Sequence, residues 1–249
     1  LLKACYSTFG RNEIVYYDVS AEKCAEVFKE FNIPAEDSNI SVVKKCRYLV
    51  LAVKPQFLSK VLDEIKDSVT DQVIISIAAG VNIASIESRL GFPAKIVRAM
   101  PNTPAMIGAG MTALAFDETI DVIRREEVIS IFNSFGKCEI LDEGLMDAFT
   151  ALCGSSPAYV YMMIEAMADA GVLEGIARKQ AYRMAAQAVL GAAMMVLETG
   201  NHPGELKDNV CSPKGTTIEA VAKLEEKGFR TAIIEAMRAC ADKSKRLSK

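Results

Sequence analysis

What the sequence lacks narrows its chemistry. It has no tryptophan and a single histidine, His202, so a nucleophile–histidine–carboxylate triad or a histidine-rich metal centre has almost nothing to be built from, and no metal site is expected. Cysteines stand at 5, 24, 46, 138, 153, 211 and 240. They are odd in number, scattered, and never spaced C-x-x-C. That excludes a disulfide framework or zinc knuckle and reads as thiols of a reducing compartment, hence a cytoplasmic chain. Positive charge is not in excess: the net charge is -3, which argues against a nucleic-acid partner. No apolar run reaches membrane length. Residues 158–173 are interrupted by Glu165 and Asp169, residues 184–197 by Gln187, and both fall short of the ~20 residues a span needs.

Two further absences concern the start of the chain. There is no Gly-x-Gly-x-x-Gly nucleotide fingerprint, and the chain opens Leu1-Leu2-Lys3-Ala4-Cys5 without an initiator methionine. This opening reads as the tail of a helix. A strand, a glycine turn and half a helix are expected just ahead of Leu1. The pyrophosphate seat of a nucleotide site would then lie outside these residues, which by themselves are expected to bind nucleotide poorly.

What is present alternates at first between short β-branched runs and helical patterns. Strands are predicted at 14–18, 48–53, 72–77, 95–100 and 137–141, and helices at 21–31 (capped by Ser20), 57–65, 83–90 and 121–135. Continuous apolar runs such as Tyr48-Leu49-Val50-Leu51-Ala52-Val53 suit strands buried on both faces. The alternation predicts an α/β fold with a Rossmann-type, doubly wound parallel sheet over residues 1–142, its first strand missing. From residue 143 strand signals stop. Helices are predicted at 144–152, 156–174, 178–199, 203–209, 216–226 and 229–246. Ala181, Ala185, Ala188, Gly191 and Ala192 line the third, and so many apolar and small positions are hard to bury in ~100 residues. Residues 143–249 are therefore expected to form an all-α domain that dimerises.

Ligands of such sheets bind at the carboxyl ends of strands. Three predicted strands end in small or proline-bearing turns: Ala52-Val53-Lys54-Pro55, Ala78-Ala79-Gly80 and Pro101-Asn102-Thr103. Asp18 ends the first visible strand, where an acid often holds a ribose hydroxyl; a helix-entry acid is the competing reading. In the helical part, Pro213 and Gly215 break a helix, and Thr216-Thr217-Ile218-Glu219 reads as a capping box with Thr216 at the N-cap. Open N–H groups, the positive helix end and the hydroxyls of Ser212 and Thr217 make this loop a receptor for a small anion. His202, ahead of Pro203, reads as a turn residue, Glu165 and Asp169 as a dimer-contact or solvated stripe, and Cys211 as packing.

The segments Ala99-Met-Pro-Asn-Thr-Pro-Ala105, Gly154-Ser-Ser-Pro-Ala-Tyr159, Glu165-Ala-Met-Ala-Asp-Ala170 and Lys207-Asp-Asn-Val-Cys-Ser-Pro-Lys-Gly-Thr-Thr-Ile-Glu219 together resemble pyrroline-5-carboxylate reductase. The resemblance runs over essentially the whole chain. It implies reduction of Δ1-pyrroline-5-carboxylate to L-proline by hydride from NADPH or NADH, the last step of proline biosynthesis. It implies a Rossmann domain followed by a helical domain that forms a homodimer, with rings of dimers in some members. Ser212, Gly215, Thr216 and Thr217 would seat the substrate carboxylate, Thr217 would also hydrogen-bond the ring nitrogen, and Asn209 would face the nicotinamide. Asp18, Ala52, Val53, Lys54, Pro55, Ala78, Ala79, Gly80, Asn102 and Thr103 would line the cofactor. Two departures stand out: Lys214 replaces a usual glycine in Ser-Pro-Gly-Gly-Thr-Thr, and Cys153 a common serine. A β-hydroxyacid-dehydrogenase-like reductase stays open as an alternative, weakened by the absence of lysine between Gly144 and Arg178. So does a non-catalytic dimerising module with a vestigial nucleotide domain. Asp18 favours NADH, while Lys23 would reach a 2′-phosphate.

Overall fold

The computed structural model describes residues 1–247, the side chain of Leu247 excepted. The chain packs as two compact units: Leu1–Ser155 together with the stretch from Cys240 onward, and Ser156–Ala239.

The first unit opens with three helices, α1 (Leu2–Phe9), α2 (Ala21–Phe31) and α3 (Asn39–Lys45). Then strand and helix alternate: β1 (Tyr48–Leu51), α4 (Pro55–Ile65), β2 (Val73–Ser76), α5 (Ile83–Leu90) and β3 (Lys95–Met100). After these come β4 (Gly110–Phe116), α6 (Val122–Asn133), β5 (Gly136–Ile140) and a short α7 (Met146–Phe149). The strands form one sheet in the order β1-β2-β3-β4-β5. The caps follow the residue chemistry. Ser20, Ser38, Asn82 and Asp121 each accept a backbone N–H from the first turn of the helix they precede, which satisfies donors the helix cannot.

Both faces of the sheet are covered. Leu49, Leu51, Ile74 and Ile96 pack with Leu58, Leu62 and Ile86 from α4 and α5. Val73, Ile75, Val97 and Leu114 pack with Val128 and Phe132 from α6. Fully burying each such side chain contributes roughly 1.5–3 kcal/mol. This is the doubly wound arrangement expected from the sequence, with one exception: β4 pairs antiparallel with β3, whereas β1–β2, β2–β3 and β4–β5 are parallel. Only residues 101–109 join β3 to β4, too few for a crossover, so the chain doubles back. Residues 14–18, expected as a strand, lie outside the sheet, because among the described residues no strand pairs with them. The expected helix at 144–152 is broken up: a 3₁₀ turn at Glu143–Leu145, α7, then a π turn at Thr150–Gly154.

The second unit holds α8 (Ser156–Leu173), α9 (Arg178–Thr199), α10 (Pro203–Asn209), α11 (Thr216–Glu226) and the first part of α12 (Phe229–Leu247). Helices α8 and α9 form a hairpin on small residues. Ala168, Ala181 and Ala185 are buried, and a Cβ on Gly171 would sit 3.5 Å from the Ala181 methyl. Outside this seam the apolar residues are uncovered in the single chain, among them Met162 (70% exposed), Leu173 (86%) and Leu197 (81%). No helix among the described residues is long and apolar enough to cross a membrane.

Candidate active site

In the first unit the sheet aligns the expected cofactor residues. The ladder pairs Leu51 with Ser76 and Ser76 with Arg98, so β1, β2 and β3 deliver the turns that follow them to the same carboxyl edge. Ala52, Lys54, Pro55, Ala79 and Thr103 are exposed there, while Val53, Gly80 and Asn102 are half-buried and Ala78 is buried. Lys54 is the N-cap of α4 and Pro55, which has no N–H, its first residue; the Phe57 N–H turns back to the Lys54 carbonyl at 2.9 Å, which leaves the Gln56 N–H and the Lys54 ammonium open to an anion. Gly80 adopts φ 76°, a left-handed turn that suits glycine and brings bare backbone to the edge. An uncapped N–H donor, a cation and a glycine turn at a parallel-sheet edge fit the phosphates and ring of a dinucleotide.

Asp18 sits at the entry to α2. Its Oδ1 accepts the Ser20 N–H at 2.9 Å, and Lys23 Nζ stands 3.8 Å from Oδ2. The acid thus performs the helix-entry role, and its second oxygen meets a cation. Asn102 is engaged internally through both ends of its amide: Oδ1 accepts the Met111 N–H at 2.9 Å and Nδ2 donates to the Cys153 carbonyl at 3.0 Å. Burial pushes the Cys153 thiol up, so it stays protonated and packs. Neither pattern spacing nor composition signalled the charge at Arg98. It is 6% exposed, and its Nη1 lies 3.4 Å from Glu143 Oε1. That same carboxylate oxygen takes the Ile83 N–H at 2.8 Å, so the pair ties β3 to the start of α5, just after the Gly80 turn.

In the second unit the loop before α11 is a tight turn. The Gly215 N–H donates to the Ser212 carbonyl at 3.0 Å, and Lys214 is held at φ 59°. A turn with proline second and positive φ third calls for glycine at the third place. This explains why the usual pattern has Gly where this chain has Lys. The Lys214 side chain is exposed. The expected capping box does not form. Gly215, not Thr216, is the N-cap, and no side chain bonds the first turn, because closing the turn leaves Gly215 extended and starts the helix at Thr216. The N–H groups of Thr216, Thr217 and Ile218 are therefore open. Among the described residues no hydrogen bond takes up the Ser212, Thr216 or Thr217 hydroxyls. A Cβ on Gly215 would fall 2.3 Å from Ser212 Oγ and 3.1 Å from its carbonyl oxygen, so glycine is needed for the hydroxyl to lie against the helix start. Asn209 closes α10, five residues before the turn's Lys214. His202 caps α10, its Nδ1 accepting the Gly204 N–H at 3.0 Å. Asp169 is ion-paired with Arg178. Among the described residues no group of three metal-binding side chains gathers.

A covered, mostly parallel sheet with an open carboxyl edge, joined to an all-helical region with an anion-receptive helix start, defines a Rossmann-type oxidoreductase. Sequence relationships make the assignment specific. Residues 143–247 match the family described as pyrroline-5-carboxylate reductase dimerisation, and residues 3–80 that described as NADP oxidoreductase, coenzyme F420-dependent. Pyrroline-5-carboxylate reductase from Escherichia coli K12 is 50% identical over 95% of this chain and 88% of its own length. The Synechocystis protein of that name is 43% identical over 97% and 90%. Among solved structures, that of pyrroline-5-carboxylate reductase from Coxiella burnetii superposes with a TM-score of 0.92 at 35% identity, covering 100% of this chain and 93% of that one. The Plasmodium falciparum enzyme with NADP bound gives 0.88 at 32%, covering 99% and 92%. The chain belongs to the pyrroline-5-carboxylate reductase family.

Proposed function

We propose that this chain reduces Δ1-pyrroline-5-carboxylate to L-proline, the final step of proline biosynthesis, with NADPH or NADH as the reductant. The observation that carries the reading is the start of α11: uncapped N–H groups and free hydroxyls gathered by a turn that forces Lys214 into a strained conformation. Within this family such a receptor suits the substrate's carboxylate. The N–H groups of Thr216 and Thr217 and the hydroxyl of Ser212 donate to it, and Gly215 keeps the approach clear. Thr217 Oγ1 holds the ring nitrogen. The protonated imine is already electrophilic, so positioning and electrostatics supply most of the acceleration. A bound dihydronicotinamide would supply the hydride that C5 of the ring accepts. The C=N π pair becomes the nitrogen lone pair, and solvent protonates the resulting amine.

The cofactor is proposed to lie along Asp18, Ala52, Val53, Lys54, Pro55, Ala78, Ala79, Gly80, Asn102 and Thr103, with Asn209 facing the nicotinamide. Lys54 and the open end of α4 favour its phosphates, and Asp18 a ribose hydroxyl. The uncovered apolar faces of α8 and α9 support a homodimer built through residues 143–249, with rings of dimers as a further assembly, and the scattered free cysteines suit the cytoplasm. Sedimentation equilibrium tests this: a dimer is expected, and a stable monomer contradicts it. Activity is tested by NAD(P)H oxidation with pyrroline-5-carboxylate beside a 2-oxoacid. Turnover with the imine only is expected; turnover with the oxoacid only reverses the assignment, and neither points to a non-catalytic module.

A further inference from the structure

Asn102 solves a problem created two elements away. In a regular helix the Cys153 carbonyl would accept the N–H four residues on, but that residue is Pro157, which has none. The chain here winds as a π turn, Thr150–Gly154, with the Ser155 N–H reaching back to the Thr150 carbonyl at 2.8 Å. Such turns recur at functional sites. The Cys153 carbonyl is taken up instead by Asn102 Nδ2 at 3.0 Å, while Oδ1 of the same amide accepts the Met111 N–H at 2.9 Å. The partners are of opposite kind, a C=O and an N–H, which fixes the orientation of the amide. One side chain thereby clamps three things: the turn 101–103 after β3, the start of β4, and the π turn from which the chain runs into α8.

We propose that Asn102 is a positioning residue for hydride transfer. Both polar ends of its amide are committed within the protein. Its acceptor arm fixes the turn that lines the cofactor, and its donor arm fixes the π turn at the root of the helical region. This rests on the reading of residues 101–103 as a wall of the cofactor site. The two arms separate experimentally in the full-length protein. Asn102→Asp keeps the acceptor for Met111 and loses the donor. Its KM for NAD(P)H should stay within about twofold of wild type while kcat falls about tenfold, the effect of one lost oriented hydrogen bond. Asn102→Ala loses both arms and should also raise KM for NAD(P)H about tenfold. Pro157→Ala restores an N–H to the Cys153 carbonyl, so Asn102→Asp/Pro157→Ala should recover most of the lost kcat. A purely packing role for Asn102 would not split kcat from KM or respond to residue 157. Asn102→Asp with wild-type kinetics, or failure of Pro157→Ala to rescue it, overturns the inference. Wild-type protein that turns over no pyrroline-5-carboxylate overturns the functional reading instead.

Discussion

Gly215→Ala tests how the α11 turn builds an anion seat. Gly215 has φ -78° and ψ 166°, a conformation alanine adopts freely, so the substitution carries no backbone penalty. Its effect is steric and directed. The new Cβ would fall 2.3 Å from Ser212 Oγ and 3.1 Å from the Ser212 carbonyl oxygen, which must give by a few tenths of an ångström. That hydroxyl is the end of a rotatable side chain, so it swings away from the helix start at a cost of about 0.5–1.5 kcal/mol in rotamer energy. The fold survives, but the Ser212 donor leaves the carboxylate. A hydrogen bond to a charged group is worth about 1.5–3 kcal/mol, which raises KM for pyrroline-5-carboxylate about 10- to 100-fold. The carboxylate is held equally in ground and transition states, so kcat stays near wild type. Steady-state kinetics with varied pyrroline-5-carboxylate reads this directly. Ser212→Ala should give the same KM, and Ser212→Ala/Gly215→Ala no further increase, because both changes remove one donor. An unchanged KM in Gly215→Ala, or multiplicative effects in the double variant, would refute the placement of Ser212 in the seat.

Lys214→Gly relieves a left-handed residue worth about 1–2 kcal/mol but adds unfolded-state entropy of about 0.4–1 kcal/mol. A net gain of up to about 1.6 kcal/mol should appear as a Tm rise of up to about 6 °C; a fall in Tm would mean that the Lys214 side chain stabilises the turn. Asp18→Asn keeps the acceptor for the Ser20 N–H and removes the charge. The ratio of kcat/KM for NADPH over NADH should rise about tenfold, and an unchanged ratio would place the acid away from the ribose. Burial, then donation to the Glu127 carboxylate, push the Tyr48 phenol up to about 12. A folded value above the ordinary 10 means that this contribution is complete below pH 10 and is lost as pH climbs through 12. The stability gap between wild type and Tyr48→Phe should therefore close across that window in alkaline denaturation, and a constant gap would contradict it.

Much of this was legible in the residues. The helix start at Ser20, the helix at 83–90 and buried strands such as 72–77 stand where cap and periodicity place them, while Asp121, read as the first helical residue, caps α6 instead. The helices from α8 to α12 lie within a residue or two of their patterns. What escaped has physical causes. Strand β4, Gly-Met-Thr-Ala-Leu-Ala-Phe, is buried on both faces at Ala113, Leu114 and Ala115, so it shows no alternation, and its small residues carry little β preference. Residues 14–18 have strand composition, but a strand also needs a partner. Helix α3 is a short segment whose only clear sign is the Ser38 cap. At α11 the sequence pointed to Thr216 as the cap, but the turn closed by Gly215 claimed that place. The Asn102 clamp depends on a missing N–H at Pro157 and a carbonyl far away in sequence, a pairing visible only once the chain is folded.

Hydride transfer to the imine carbon is the defining step of the proposed reaction, and isotope transfer follows it atom by atom. The protein is given pyrroline-5-carboxylate and NADPH or NADH bearing deuterium at C4 on the transferred face, and the product is examined by mass spectrometry and NMR. L-proline with a single deuterium at C5 is expected, formed one for one with oxidised cofactor. Cofactor oxidation that leaves no deuterium at C5, or no proline from either cofactor, would contradict it.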